Sequence, residues 1–79
     1  MFRTNEDKFR AEQVAAAVTT QAELLRVAAE TIADWRTELL LGIIDDGDKE
    51  QLTEWMGYIR EVKAIDPQQE NIAWPPVPA

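Results

Sequence analysis

The chain has 79 residues, enough for one small domain, and contains neither Cys nor His. That excludes disulfides and thiolate zinc sites, and removes the commonest general base and metal ligand. A net charge of −7 repels phosphate backbones and anionic lipid, so composition points away from nucleic-acid and membrane partners.

The N-terminus, Met1-Phe2-Arg3-Thr4-Asn5-Glu6-Asp7, is charged and has no apolar run, unlike a signal peptide. The longest apolar run, Leu39 to Ile44 with Gly42 inside it, is too short to span a bilayer. A soluble, intracellular protein is expected. Chains this short bury only about 60% of their unfolded surface and gain stability by association.

A first helix is predicted from about Asn5 to Ile44, where good helix formers dominate and no Pro intervenes. Thr4 or Asn5 would cap it, with Glu6 and Asp7 favouring the positive end of its dipole. A 3-4 spacing runs through Ala11, Val18, Leu25, Ile32 and Leu39, and through Val14, Gln21, Ala28, Trp35 and Gly42. That is a heptad seam, with Gln21 as its one strongly polar member, a residue type that can fix register. Thr20-Gln21-Ala22-Glu23 also reads as a capping box. A break there would give three helices, but the unchanged heptad phase across Thr19-Thr20 favours one.

Asp45-Asp46-Gly47-Asp48 is read as the turn, with Gly47 in a left-handed conformation and Asp48 as N-cap of a second helix, Gln51 completing a capping box. A connection this short returns the second helix antiparallel beside the first. That helix is predicted from about Lys49 to Ala64, burying Leu52, Trp55, Met56, Ile59 and Val62, with Tyr58 at the flank. Pro67 ends it by biasing Asp66 away from helix. The remaining residues carry four prolines and should be extended, with Ile72 and Trp74 packing back on the hairpin.

At 1.5 Å per residue the first helix would be about 60 Å long and the second about 24 Å. The second would therefore cover the first only from about Ala28 onward, leaving Val14, Val18, Leu24 and Leu25 for another chain. This divides the molecule into a connector or oligomerisation segment over 1–27, a helical hairpin over 28–66 and a Pro-rich tail over 67–79 packed on the hairpin.

Reactive chemistry finds little support. The acidic cluster Asp45, Asp46, Asp48, Glu50 and Glu54 misses EF-hand spacing and reads as a solvated turn. Paired carboxylates on an exposed hinge lack the pocket an enzyme needs. Pro75 and Pro78 form a minimal P-x-x-P, a pattern of low specificity. Catalytic, cofactor and metal sites are all expected to be none.

The C-terminal two-thirds resembles the tail fibre assembly proteins of tailed phages. Ala29-Glu30 with Ile32-Ala33 resembles the start of that family's hairpin. Glu50, Leu52, Trp55 and Tyr58 follow the acidic turn, then Ile65-Asp66, and the chain closes on Ile72-Ala73-Trp74-Pro75 with Pro78 beyond. The resemblance implies a chaperone that helps the fibre's C-terminal part to trimerise and fold, working in the bacterial host's cytoplasm or held at the virion's fibre tip. Family members are usually longer, with a largely non-helical N-terminal portion linked to fibre contact. The resemblance therefore implies that this chain corresponds to the C-terminal part, as an excised domain or as a shortened prophage relative, and that the helix before Val27 is the connector to that portion.

The resulting expectation is an all-α helical hairpin, a coiled-coil-like homo-oligomer of two or three copies, with a phage tail fibre protein as partner. Self-association is assigned to Val14, Val18, Gln21, Leu25 and Ile32, within the stretch from Ala11 to Trp35. Hairpin core or partner contact is assigned to Trp35, Leu39, Leu52, Trp55, Tyr58, Ile59 and Trp74. A generic coiled-coil module unrelated to phage is the other reading.

Overall fold

The computed structural model describes residues 5–79; the cap read at Thr4 or Asn5 rests on side chains outside the described residues. The chain forms α1, Asn5–Leu41, and α2, Asp46–Ala64, packed side by side as a hairpin. The molecule is a rod of 59 × 18 × 16 Å, its length set by the roughly 55 Å rise of α1. Thr19-Thr20 do not interrupt α1, because the Thr19 hydroxyl donates to Ala15 O at 3.1 Å and is satisfied inside the helix.

The turn differs from the sequence reading. α1 stops at Leu41 rather than Ile44. Gly42 takes φ +74°, its N–H bonds Leu39 O at 3.1 Å, and Ile43 N–H bonds Glu38 O at 2.9 Å. This pair of bonds is a Schellman motif, which closes the last carbonyls of a helix around a left-handed glycine. Gly42, not Gly47, supplies the left-handed residue. Asp45, not Asp48, is the N-cap of α2: its extended backbone precedes the helix and its carboxylate accepts from Asp48 N–H at 2.7 Å. Asp48 thus lies inside the first turn with Asp46, where carboxylates oppose the helix dipole favourably.

The core contains Ala28 and Ile32 from α1 and Leu52, Trp55, Tyr58, Ile59 and Val62 from α2. Tyr58 is buried rather than flanking, and Met56 is exposed rather than buried. A side chain such as Val62 or Ile32, removed almost wholly from water, contributes about 1.5–3 kcal/mol.

Leu24 and Leu25 pack against this core, so they have partners within the chain. Two features extend the coverage beyond Ala28. α2 begins at Asp46, before the predicted Lys49, and its C-terminal end reaches Gln21, whose amide bonds Val62 O and Ile65 O. Beyond α2, Asp66 holds a turn through Gln68 N–H and Gln69 N–H. Arg10 then contacts Gln68 O at 3.1 Å and the Glu70 carboxylate at 3.0 Å. Asn71 adopts φ +54°, a conformation that a short polar side chain tolerates, and Trp74 packs against the core.

Candidate interaction surface

The two halves of the heptad seam point to different places. Val14, Gln21 and Trp35 are half-buried and Ala28 fully buried, with Ala17 buried between them. This row faces the chain's own second half. Of the other row, Ile32 is buried and Leu25 half-buried, while Val18 is 49% and Leu39 47% exposed. The assigned self-association residues are therefore divided: Val14 and Gln21 lie on the inner side, Val18 on the open side, and Leu25 and Ile32 at the boundary. Ala17 and Leu24, absent from the seam as read, join the inner row because a straight helix of 3.6 residues per turn drifts relative to a strict seven-residue repeat.

The hairpin residues assigned from sequence come together more completely. Leu52, Trp55, Tyr58 and Ile59 share one buried face of α2. Trp55 and Tyr58 meet edge to face, with ring centroids 5.6 Å apart and planes at 83°, the arrangement aromatic quadrupoles favour. Trp35 and Trp74 pack on the margin of this cluster, both half-buried.

A second apolar feature escaped the sequence reading. At the hairpin's end Leu40, Leu41 and Ile43 are 87%, 67% and 67% exposed. The run Leu39-Leu40-Leu41 ahead of Gly42 was its signal, since adjacent helical residues cannot all face one core.

On the opposite, hydrated side of α1, Arg26 lies between Glu23 and Glu30 and pairs with both. The hydrogen bond from Arg26 holds the Glu23 carboxyl below its ordinary value, and the same bond, with the charges of Glu23 and Glu30, raises the guanidinium. Among the described residues no three Asp or Glu side chains converge as a possible metal site. No described helix is long and apolar enough to cross a membrane. The geometry leaves apolar side chains open on a charged rod.

No solved structure matches the chain. Tail fiber assembly protein U' of Escherichia phage Mu is 34% identical over 67 residues, and the protein of the same name from Escherichia phage P1 is 31% identical over the same length. Each alignment covers 85% of this chain but only 38% of the relative, so the chain spans well under half the length of these proteins. The family model described as Caudovirales tail fibre assembly protein, lambda gpK, matches residues 2–79. With nearly every residue inside that match, the chain belongs to the tail fibre assembly protein family of tailed phages.

Proposed function

We propose that this chain acts in tail fibre assembly as a non-enzymatic chaperone segment, binding the tail fibre polypeptide through apolar surface on its hairpin. The family match over residues 2–79 carries this reading. The physical character of the molecule supports it. A chaperone needs apolar side chains held open on a scaffold that stays in solution, and Leu39, Leu40, Leu41 and Ile43 sit exposed on a rod of net charge −7. Its working place is then the cytoplasm of the infected bacterium, with the assembled fibre tip as a second station.

The test is co-expression with a phage tail fibre protein, followed by size-exclusion chromatography with light scattering. The reading expects this chain to comigrate with soluble, trimeric fibre. Fibre that stays insoluble while the chain runs alone assigns fibre contact to the rest of the longer proteins.

A second reading, self-association in the manner of a coiled coil, is favoured by the seven-residue recurrence of Val18, Leu25, Ile32 and Leu39, of which Val18 and Leu39 stay about half exposed. Val18→Asp would then lower the mass in light scattering without loss of helix. An unchanged mass removes the idea.

A further inference from the structure

The open side of the hairpin is a groove whose charge is opposite to that of the molecule. Two shallow depressions of about 430 and 280 Å³ lie along it and meet at Met56. Their apolar floor is formed by Leu25, Ile32 and Leu39 of α1 with Leu52, Met56 and Ile59 of α2. The charged groups lining them are Arg36, Lys49, Arg60 and Lys63. Those are four of the eight Lys and Arg residues of the sequence, and none of its fifteen Asp and Glu lines either depression. Among the described residues none of the four cations is in an ion pair, whereas Arg10 and Arg26 are both paired with carboxylates.

We propose that this groove docks an acidic amphipathic segment of another polypeptide, its apolar side chains over Met56 and its carboxylates between the four unpaired cations. Charge decides the occupant. Two copies of this chain related by a two-fold axis through the groove would set the same cations against one another, which costs free energy instead of gaining it. A polypeptide with carboxylates flanking an apolar stripe meets both features. The inference rests on the assembly reading above, because it takes the fibre protein as the source of that segment.

The experiment compares three forms of the full chain for binding to the purified C-terminal segment of a phage tail fibre protein, by calorimetry at low and at physiological salt. The forms are wild type, R36E/R60E in the groove, and K8E/R26E outside it. Both variants change net charge equally, and circular dichroism checks that each keeps its helices. Expected are a loss of about tenfold or more for R36E/R60E, wild-type-like binding for K8E/R26E, and weaker wild-type binding as salt rises.

Equal binding by all three overturns the groove and leaves the assembly reading standing. Equal weakening of both variants also overturns it, because overall charge would then be the cause. A wild-type dimer that R36E/R60E dissociates makes a second copy the occupant and overturns it too. Failure of wild type itself to bind overturns both the groove and fibre contact by this segment.

Discussion

The Gln21 side-chain amide donates to Val62 O at 2.9 Å and to Ile65 O at 3.0 Å. One residue of α1 thereby bonds two carbonyls at the end of α2: Val62 O, which also accepts from Ile65 N–H at 3.2 Å, and the O of the C-cap residue Ile65. Gln21→Ala should cost about 1–3 kcal/mol, read as a lower urea midpoint with unchanged slope. Gln21→Glu should cost more at neutral pH, since it points a carboxylate at two carbonyl oxygens, and should recover part of the loss on acidification, when the protonated acid can donate. Identical midpoints for Gln21→Glu and wild type would show that the amide does not hold α2.

Trp55 carries the largest buried ring of α2 and stacks its edge with Tyr58. Trp55→Ala should destabilise by about 3–5 kcal/mol. In a two-helix molecule that is enough to unfold most of the population at room temperature, visible as lost helical ellipticity. A cost below about 1 kcal/mol would place the indole outside the core.

The two glycines of the turn region should respond oppositely to alanine. Gly42 holds φ +74°, so Gly42→Ala should cost about 1–2 kcal/mol. Gly47 lies within α2, and an added Cβ would meet only Asp45 Oδ1 at an ordinary 3.5 Å. Gly47→Ala should therefore stabilise by about 0.5–1 kcal/mol. Asp45→Ala should cost about 0.5–2 kcal/mol as a lost cap. Thermal melts of the three variants check the order, and a destabilised Gly47→Ala contradicts it.

The Glu23 carboxyl lies below its ordinary value because Arg26 hydrogen-bonds it. A depressed carboxyl stabilises the fold above its unfolded value, and that contribution disappears as pH falls through the folded one. The pair is fully solvated, so the effect is small and fades with salt. Carbon-detected titration of Glu23 should show its midpoint rising toward the ordinary range in Arg26→Ala. No movement would mean that the pair does not persist in solution.

Both helices were legible because the signals for them are local. An uninterrupted run of helix formers, then Asp and Gly, then an apolar 3-4 pattern closed by Pro67 gives the hairpin directly. The details of the turn were not. Asp-Gly at 46–47 is the stronger turn signal, while Gly42 stands behind three leucines and looks like a seam position. Tyr58 reads both as a flank residue of the second helix and among the hairpin core or partner contacts, and its ring is buried edge to face with Trp55. The division of the seam could not be read at all: Val14 and Val18 are chemically alike, and only packing against the chain's second half separates them. The groove cations were equally hidden, since Arg36 and Arg60 come from different helices and become neighbours only on folding.

The clasp made by Gln21 also has a kinetic meaning. It joins groups 41 and 44 residues apart in sequence, whereas Gly42 and Asp45 organise the turn from neighbouring residues. Folding can start at the turn and zip both helices away from it, since nearby contacts lose the least chain entropy on closing. Gln21 then engages late, ahead only of the Arg10 contacts with Gln68 and Glu70. An interaction formed after the rate-limiting barrier slows opening and leaves the rate of closing alone. The far end of the hairpin, open or shut on its own timescale, sets how long residues 65–79 stay fastened to α1.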